Sequence, residues 1–126
     1  YVDAPTPESA LPRVAANIAQ LPLPLDVAVL GMGTNGHTAS FFPGGDRLAE
    51  ALDPRGSACV LPMRAPDAGE PRITLTLPVL VAAGELYLQI EGQEKRDVLE
   101  AAVIGVDDPM RAVVQAAPQL QTYWCP

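Results

Sequence analysis

The chain of 126 residues holds one histidine, and it directly follows a glycine-rich run, Gly31-Met32-Gly33-Thr34-Asn35-Gly36-His37. Imidazole titrates near neutral pH, so His37 is the side chain best suited to take and return a proton there. Each of the three glycines from Gly31 to Gly36 costs chain entropy on folding and supplies no packing. Such residues suit a loop whose backbone approaches a ligand, which nominates Gly33 and Gly36 as binding positions. Asn35 tolerates left-handed backbone and fits the same turn. The plainest alternative is a tight turn carrying a surface histidine, and the glycine content argues against it.

Gly31 to Gly36 also satisfies G-x-G-x-x-G, the phosphate loop of dinucleotide folds. That motif needs a full helix after its glycines, with the helix N-terminus on the pyrophosphate. Here Pro43 arrives seven residues after Gly36. An acidic residue at the expected distance, Asp53, is followed by Pro54 in a loop-like stretch. The Gly-Lys-Ser/Thr ending of a nucleoside triphosphate loop is absent from the run. The local pattern therefore favours a strand-end loop that presents one imidazole.

Composition narrows the ligand. Hydrophobic residues make up 48% of the chain, enough to bury a core and to exclude a disordered tail. A formal charge of -7 repels nucleic acid and anionic lipid as a whole, so an anionic small molecule would need a local cluster of cations and N–H groups. Lys95 is the single lysine. Cys59 and Cys125 match no metal spacing; they could pair, but free thiols in a reducing cytosol are the plainer reading. We find no signal peptide and no apolar run near ~18 residues, the length a membrane span needs.

Several elements must position the loop. Thr6-Pro7-Glu8 starts a helix whose apolar residues run from Leu11 to Leu21 and which Pro22 and Pro24 end. Residues 26–30 form a short strand that reads as buried on both faces. Residues 38–42 make at most a short helix, stopped by Pro43-Gly44-Gly45. A turn or short helix with loop occupies 46–57, a strand 58–61 and a loop 63–71. A strand follows over 72–76, then a helix over 77–83 that Thr76 can cap. Residues 85–91 are a strand, 93–103 an amphipathic helix, 109–117 a second helix started by Asp107 and Asp108, and 120–124 a closing strand. Alternating strands and helices specify a layered α/β fold with a mainly parallel sheet flanked by helices. Ligands sit beyond the carboxyl ends of strands in such folds, where the glycine loop lies.

Three segments resemble one family. Residues 26–44, from Asp26 through Gly-Met-Gly-Thr-Asn-Gly-His-Thr-Ala-Ser-Phe-Phe-Pro-Gly, resemble the signature of 6-phosphogluconolactonases. Arg72-Ile73-Thr74-Leu75-Thr76-Leu77-Pro78-Val79-Leu80 and Gly92-Gln93-Glu94-Lys95 are similar to the family's second and third motifs, and Trp124 to its terminal aromatic strand. The resemblance implies a Rossmann-like fold of the sugar-phosphate isomerase and lactonase type. It implies hydrolysis of 6-phosphogluconolactone in the oxidative pentose phosphate pathway, in the cytoplasm, with neither metal nor cofactor. His37 would be the base and Asn35 its neighbour, with Gly33, Gly36, Thr38, Arg72 and Lys95 about the substrate.

Two departures stand out. The family usually carries Asp where Asn35 stands; Asn can hold the ring but cannot neutralise imidazolium. The family's N-terminal Ser-Gly-Gly-Ser-type phosphate loop and acidic Gly-Asp-Glu-Arg-like segment do not occur in the chain, so the resemblance implies that residues 1–126 are the C-terminal part of a single domain. An amino-sugar-phosphate isomerase or deaminase is the rival enzyme, although Phe41-Phe42-Pro43 stands where those relatives carry Asn-Glu-Pro. A sugar-phosphate-binding or truncated domain without catalysis is the rival outside enzymes. Met32 and Phe41 read as packing residues, Arg64 and Arg96 as solvent-facing, and Ser40 as a substrate donor or a local cap.

Overall fold

The computed structural model describes residues 2–105 and 108–126. The first helix, α1 (Pro7–Ile18), opens with a reciprocal cap in which the Ser9 N–H donates to Thr6 Oγ1 and the Thr6 N–H to Ser9 Oγ, both at 3.2 Å. Pro7 stands in the first turn, where its missing N–H costs nothing. Helix α1 packs on a hairpin of β2 (Val60–Met63) and β3 (Arg72–Leu75), and Arg64 pairs with Glu8 across that contact.

Strands β1 (Val27–Gly31), β4 (Glu85–Glu91) and β5 (Gln121–Cys125) form a parallel sheet in the order β1-β4-β5. Its register aligns Leu30 with Leu88 and Gln89 with Tyr123. Between the strands lie α2 (Leu48–Ala51), a 3-10 turn (Pro66–Ala68) and α3 (Leu77–Val81); α4 (Gln93–Ile104) and α5 (Pro109–Ala116) follow β4. Asp108 caps α5 through Oδ1, which accepts from the Arg111 N–H at 2.9 Å. Asp107, read with it as a helix start, lies outside the described residues.

One face of the sheet carries the core. Ala28, Leu30, Leu86, Leu88 and Ile90 are buried against Phe41, Phe42, Met63, Leu77, Leu80, Met110 and Val113. The other face is open, with Val29 65% and Tyr123 59% exposed. This corrects the expectation that β1 is buried on both faces. An unbroken apolar run reads the same whether one face or two is covered, and here Val27 and Val29 point out while Ala28 and Leu30 point in.

One smaller expectation also changes. Thr76 does not cap α3; its hydroxyl donates to the Ala58 carbonyl at 2.6 Å and ties α3 to the residues before β2. Residues 38–42 form no helix, only a bridge between Thr38 and Phe41. Cys59 and Cys125 are both unpaired. Among the described residues no helix is long and apolar enough to cross a membrane.

The one-sided sheet makes a direct prediction. Leu88→Ala opens a cavity in the core and lowers the unfolding free energy by about 2–5 kcal/mol. Val29→Ala, on the open face, costs under about 1 kcal/mol. Urea unfolding followed by circular dichroism measures both, and equal costs would contradict the assignment of faces.

Candidate active site

The glycine loop leaves β1 at its carboxyl end and folds back on itself. The Gly33 N–H donates to the His37 carbonyl at 2.9 Å, and the Gly36 N–H to the Gly33 carbonyl at 3.1 Å. A Cβ built at position 33 would fall 2.2 Å from His37 Cε1 and 2.3 Å from Nδ1, so the ring uses the space that only glycine leaves. Gly36 has φ +76, and a Cβ there would lie 2.9 Å from the Asp108 carboxyl. Both glycines thus serve the shape of the loop, and Gly33 also lines the cavity beside it.

Five further contacts hold the loop and its ring. Thr38 is fully buried, and its hydroxyl donates to the Gly31 carbonyl at 2.8 Å, which pins the end of the loop to its start. The Ser40 N–H donates to Thr74 Oγ1 at 3.2 Å, joining the loop to β3. Phe42 stacks on the imidazole with centroids 4.4 Å apart. Asn35 Oδ1 accepts from the His37 backbone N–H at 3.2 Å and lies 2.6 Å from His37 Nδ1.

That last pair of contacts fixes the tautomer. A backbone N–H can only donate, so the Asn35 atom facing it is the oxygen, not the amide nitrogen. The same oxygen faces Nδ1, and an oxygen with no proton cannot donate to it. Nδ1 must therefore carry the ring proton, which leaves Nε2 as the basic atom of the neutral ring.

The ring borders an open cavity of about 600 Å³ that is also lined by Gly31, Met32, Gly33, Ala39, Gln89, Ile90, Glu91 and Lys95. Lys95 lies in the first turn of α4. The turn that launches this helix is braced by β5: the Gly92 N–H donates to the Cys125 carbonyl at 2.9 Å, and Trp124 Nε1 donates to the Gly92 carbonyl at 3.0 Å. Arg96 covers the Trp124 ring with its guanidinium 4.7 Å from the centroid and also pairs with Glu100. A second concavity of about 480 Å³ lies along the open sheet face, bordered by Val29, Tyr87, Tyr123 and Trp124. No histidine, lysine or arginine is among the described residues that line it, whereas His37 and Lys95 both line the first.

The sequence candidates divide accordingly. Gly33, His37 and Lys95 meet at the cavity, and Asn35 backs the ring. Gly36 and Thr38 shape the loop, with the Thr38 hydroxyl already spent on the Gly31 carbonyl. Arg72 does not line the cavity; it donates to Glu70 Oε1 and to the Ala68 carbonyl, both at 2.9 Å. Sequence reasoning passed over Gln89 and Glu91, although they are the polar alternates at the carboxyl end of β4, the edge where α/β folds gather ligands. It also read Phe41 and Met32 as packing residues, and both are buried, but it missed the stacked Phe42.

The pKa of His37 is lowered from its ordinary value, first by burial, which disfavours the charged ring, then by the charges of Lys95 and Arg72; Asp67 opposes them. The sign matters for a base. A lowered pKa keeps the imidazole neutral, and able to accept a proton, further toward acid. Among the described residues, no group of three or more His, Cys, Asp and Glu side chains is arranged to hold a metal ion.

The family profile for glucosamine-6-phosphate isomerases/6-phosphogluconolactonase matches residues 1–124. The 6-phosphogluconolactonase of Rhizobium meliloti is 52% identical over all of this chain and 56% of its own length. That of Mesorhizobium japonicum is 49% identical over all of this chain and 54% of its own. The crystal structure of a 6-phosphogluconolactonase from Shewanella baltica superposes with a TM-score of 0.87 at 30% identity, over 98% of this chain and 54% of that one. The chain therefore spans about half the length of the relatives it matches.

Two outcomes follow from the geometry, both readable from the one imidazole in a proton NMR spectrum. Gly33→Ala expels the ring from its place, so the ring-current shift that Phe42 imposes on the His37 protons is lost, whereas Gly31→Ala, which meets nothing within 4 Å, preserves it. Lys95→Met removes a charge that disfavours imidazolium, so the His37 titration midpoint rises; an unmoved or lowered midpoint would contradict the placement of Lys95.

Proposed function

Because the chain belongs to the glucosamine-6-phosphate isomerase/6-phosphogluconolactonase family, we propose that it supplies the base for hydrolysis of 6-phospho-D-glucono-1,5-lactone to 6-phosphogluconate. In this reading residues 1–126 correspond to the C-terminal part of the family domain, and the product enters the oxidative pentose phosphate pathway. The observation that carries the reading is the pairing of Asn35 Oδ1 with His37 Nδ1 at 2.6 Å, which leaves Nε2 basic on a ring at the edge of a cavity shared with Lys95.

The chemistry needs little else. His37 Nε2 takes a proton from water as the water oxygen bonds to the lactone carbonyl carbon, and the carbonyl electrons move to its oxygen. Collapse of that tetrahedral species breaks the bond from carbon to the ring oxygen. The imidazolium returns its proton to the departing oxygen, which becomes a hydroxyl of the open acid. Asn35 keeps the ring turned through both transfers. Lys95 attracts the substrate phosphate, and Arg72, tied to Glu70, adds its field rather than a contact. The site asks for no metal and no cofactor in these steps.

The stacked Phe42 favours a lactone over an amino sugar. An isomerase or deaminase would move protons between carbon and nitrogen or oxygen with further acid and base groups. Here Phe42, stacked on the ring, stands at the place of the acid in those relatives' Asn-Glu-Pro segment. A sugar-phosphate-binding domain without turnover is the second reading.

Lactone opening, followed at a pH where spontaneous hydrolysis is slow, tests the proposal with the full chain. The expected result is a rate above the uncatalysed one that His37→Ala lowers by about 10²–10⁴-fold in kcat with little change in KM. No acceleration by the unsubstituted chain, or full activity of the variant, would overturn it. Perturbation of the His37 resonance by 6-phosphogluconate without turnover would favour the second reading.

A further inference from the structure

Asn35 has one more partner. Its Oδ1 is committed to His37, which turns its amide nitrogen outward, and that nitrogen donates to Asp67 Oδ2 at 3.4 Å. Asp67 belongs to the 3-10 turn between β2 and β3, thirty-two residues further along the chain. We propose that Asp67 is a positioning residue for His37, acting through Asn35 as the remote carboxylate of an Asp67–Asn35–His37 chain.

The chemistry of the middle residue makes the link directional. An amide donates at nitrogen and accepts at oxygen, so a carboxylate on the nitrogen side polarises the oxygen and strengthens its hold on Nδ1–H. When His37 takes a proton, the positive ring meets a polarised oxygen backed by a negative charge. Asn35 alone supplies the orientation; Asp67 supplies the charge that a neutral amide lacks. The contact is long and exposed, so the effect is modest and weakens with salt.

Other charges face the same ring and must be held constant. Lys95 from α4 and Arg72 from β3 disfavour imidazolium, while Asp67 favours it. Glu91 from β4 borders the cavity, and Asp108 at the start of α5 lies against Gly36. Of the acids among the described residues, Asp67 is the one joined to the ring by hydrogen bonds through a side chain.

This deepens the reading of His37 as the base, and its test needs no turnover, so failure of the hydrolysis assay and failure of this inference are separate results. The midpoint of the His37 titration is measured by proton NMR at low ionic strength. Asp67→Asn lowers the midpoint, and Asp67→Glu restores most of it. The Gly33 and Gly36 amide resonances stay in place, because Asp67 is exposed and the loop does not depend on it. In an Asn35→Ala background the effect of Asp67→Asn shrinks. An unmoved midpoint in Asp67→Asn would overturn the proposal. A shift equally large in the presence and absence of Asn35 would also overturn it, since Asp67 would then act through space alone.

Discussion

The imidazole of His37 occupies the space where a side chain at position 33 would stand, and most of the site follows from that constraint. A ring this close to the backbone requires glycine at 33 and a loop closed on itself by the Gly33–His37 hydrogen bond. Closing the loop brings Asn35 within reach of both the His37 amide and its ring, which selects one tautomer. Thr38 then returns to Gly31, and Phe42 covers the ring from the core side. Position, tautomer and solvent shielding are therefore consequences of one tight turn at the end of β1.

Electrostatics set the second condition. The chain is acidic overall, with a formal charge of -7, yet the charges that act most on His37 are those of Lys95 and Arg72. Positive charge beside an imidazole keeps the ring neutral to lower pH. Arg72 is bonded to Glu70 and to the Ala68 carbonyl, and among the described residues Lys95 is the cation that borders the cavity. The β5 strand matters to this arrangement because its backbone and Trp124 brace Gly92, the residue from which the Lys95 helix departs.

Much of this was legible in the sequence, for identifiable reasons. Turn glycines, a lone imidazole after them and the proline that forbids a long helix are local signals, and they located the loop and its place at a strand end. Helix caps at Thr6 and Asp108 were equally local. What failed to show was tertiary. The run from Val27 to Leu30 has no polar residue to mark which face is covered. Thr38 and Thr76 look like ligand and cap donors until the fold brings the Gly31 and Ala58 carbonyls to them. Arg72 reads as a free cation until Glu70, two residues away, claims it. The contact between Asn35 and Asp67 joins segments that no periodicity connects.

The account rests on the proton of the neutral ring standing on Nδ1. Nitrogen-15 spectra of the single histidine, recorded above its titration midpoint, test this most directly. The structure predicts a protonated Nδ1 and a bare, basic Nε2, with Asn35→Ala mixing the two forms. A ring protonated mainly on Nε2 would leave no base on the nitrogen away from Asn35 and would contradict the account.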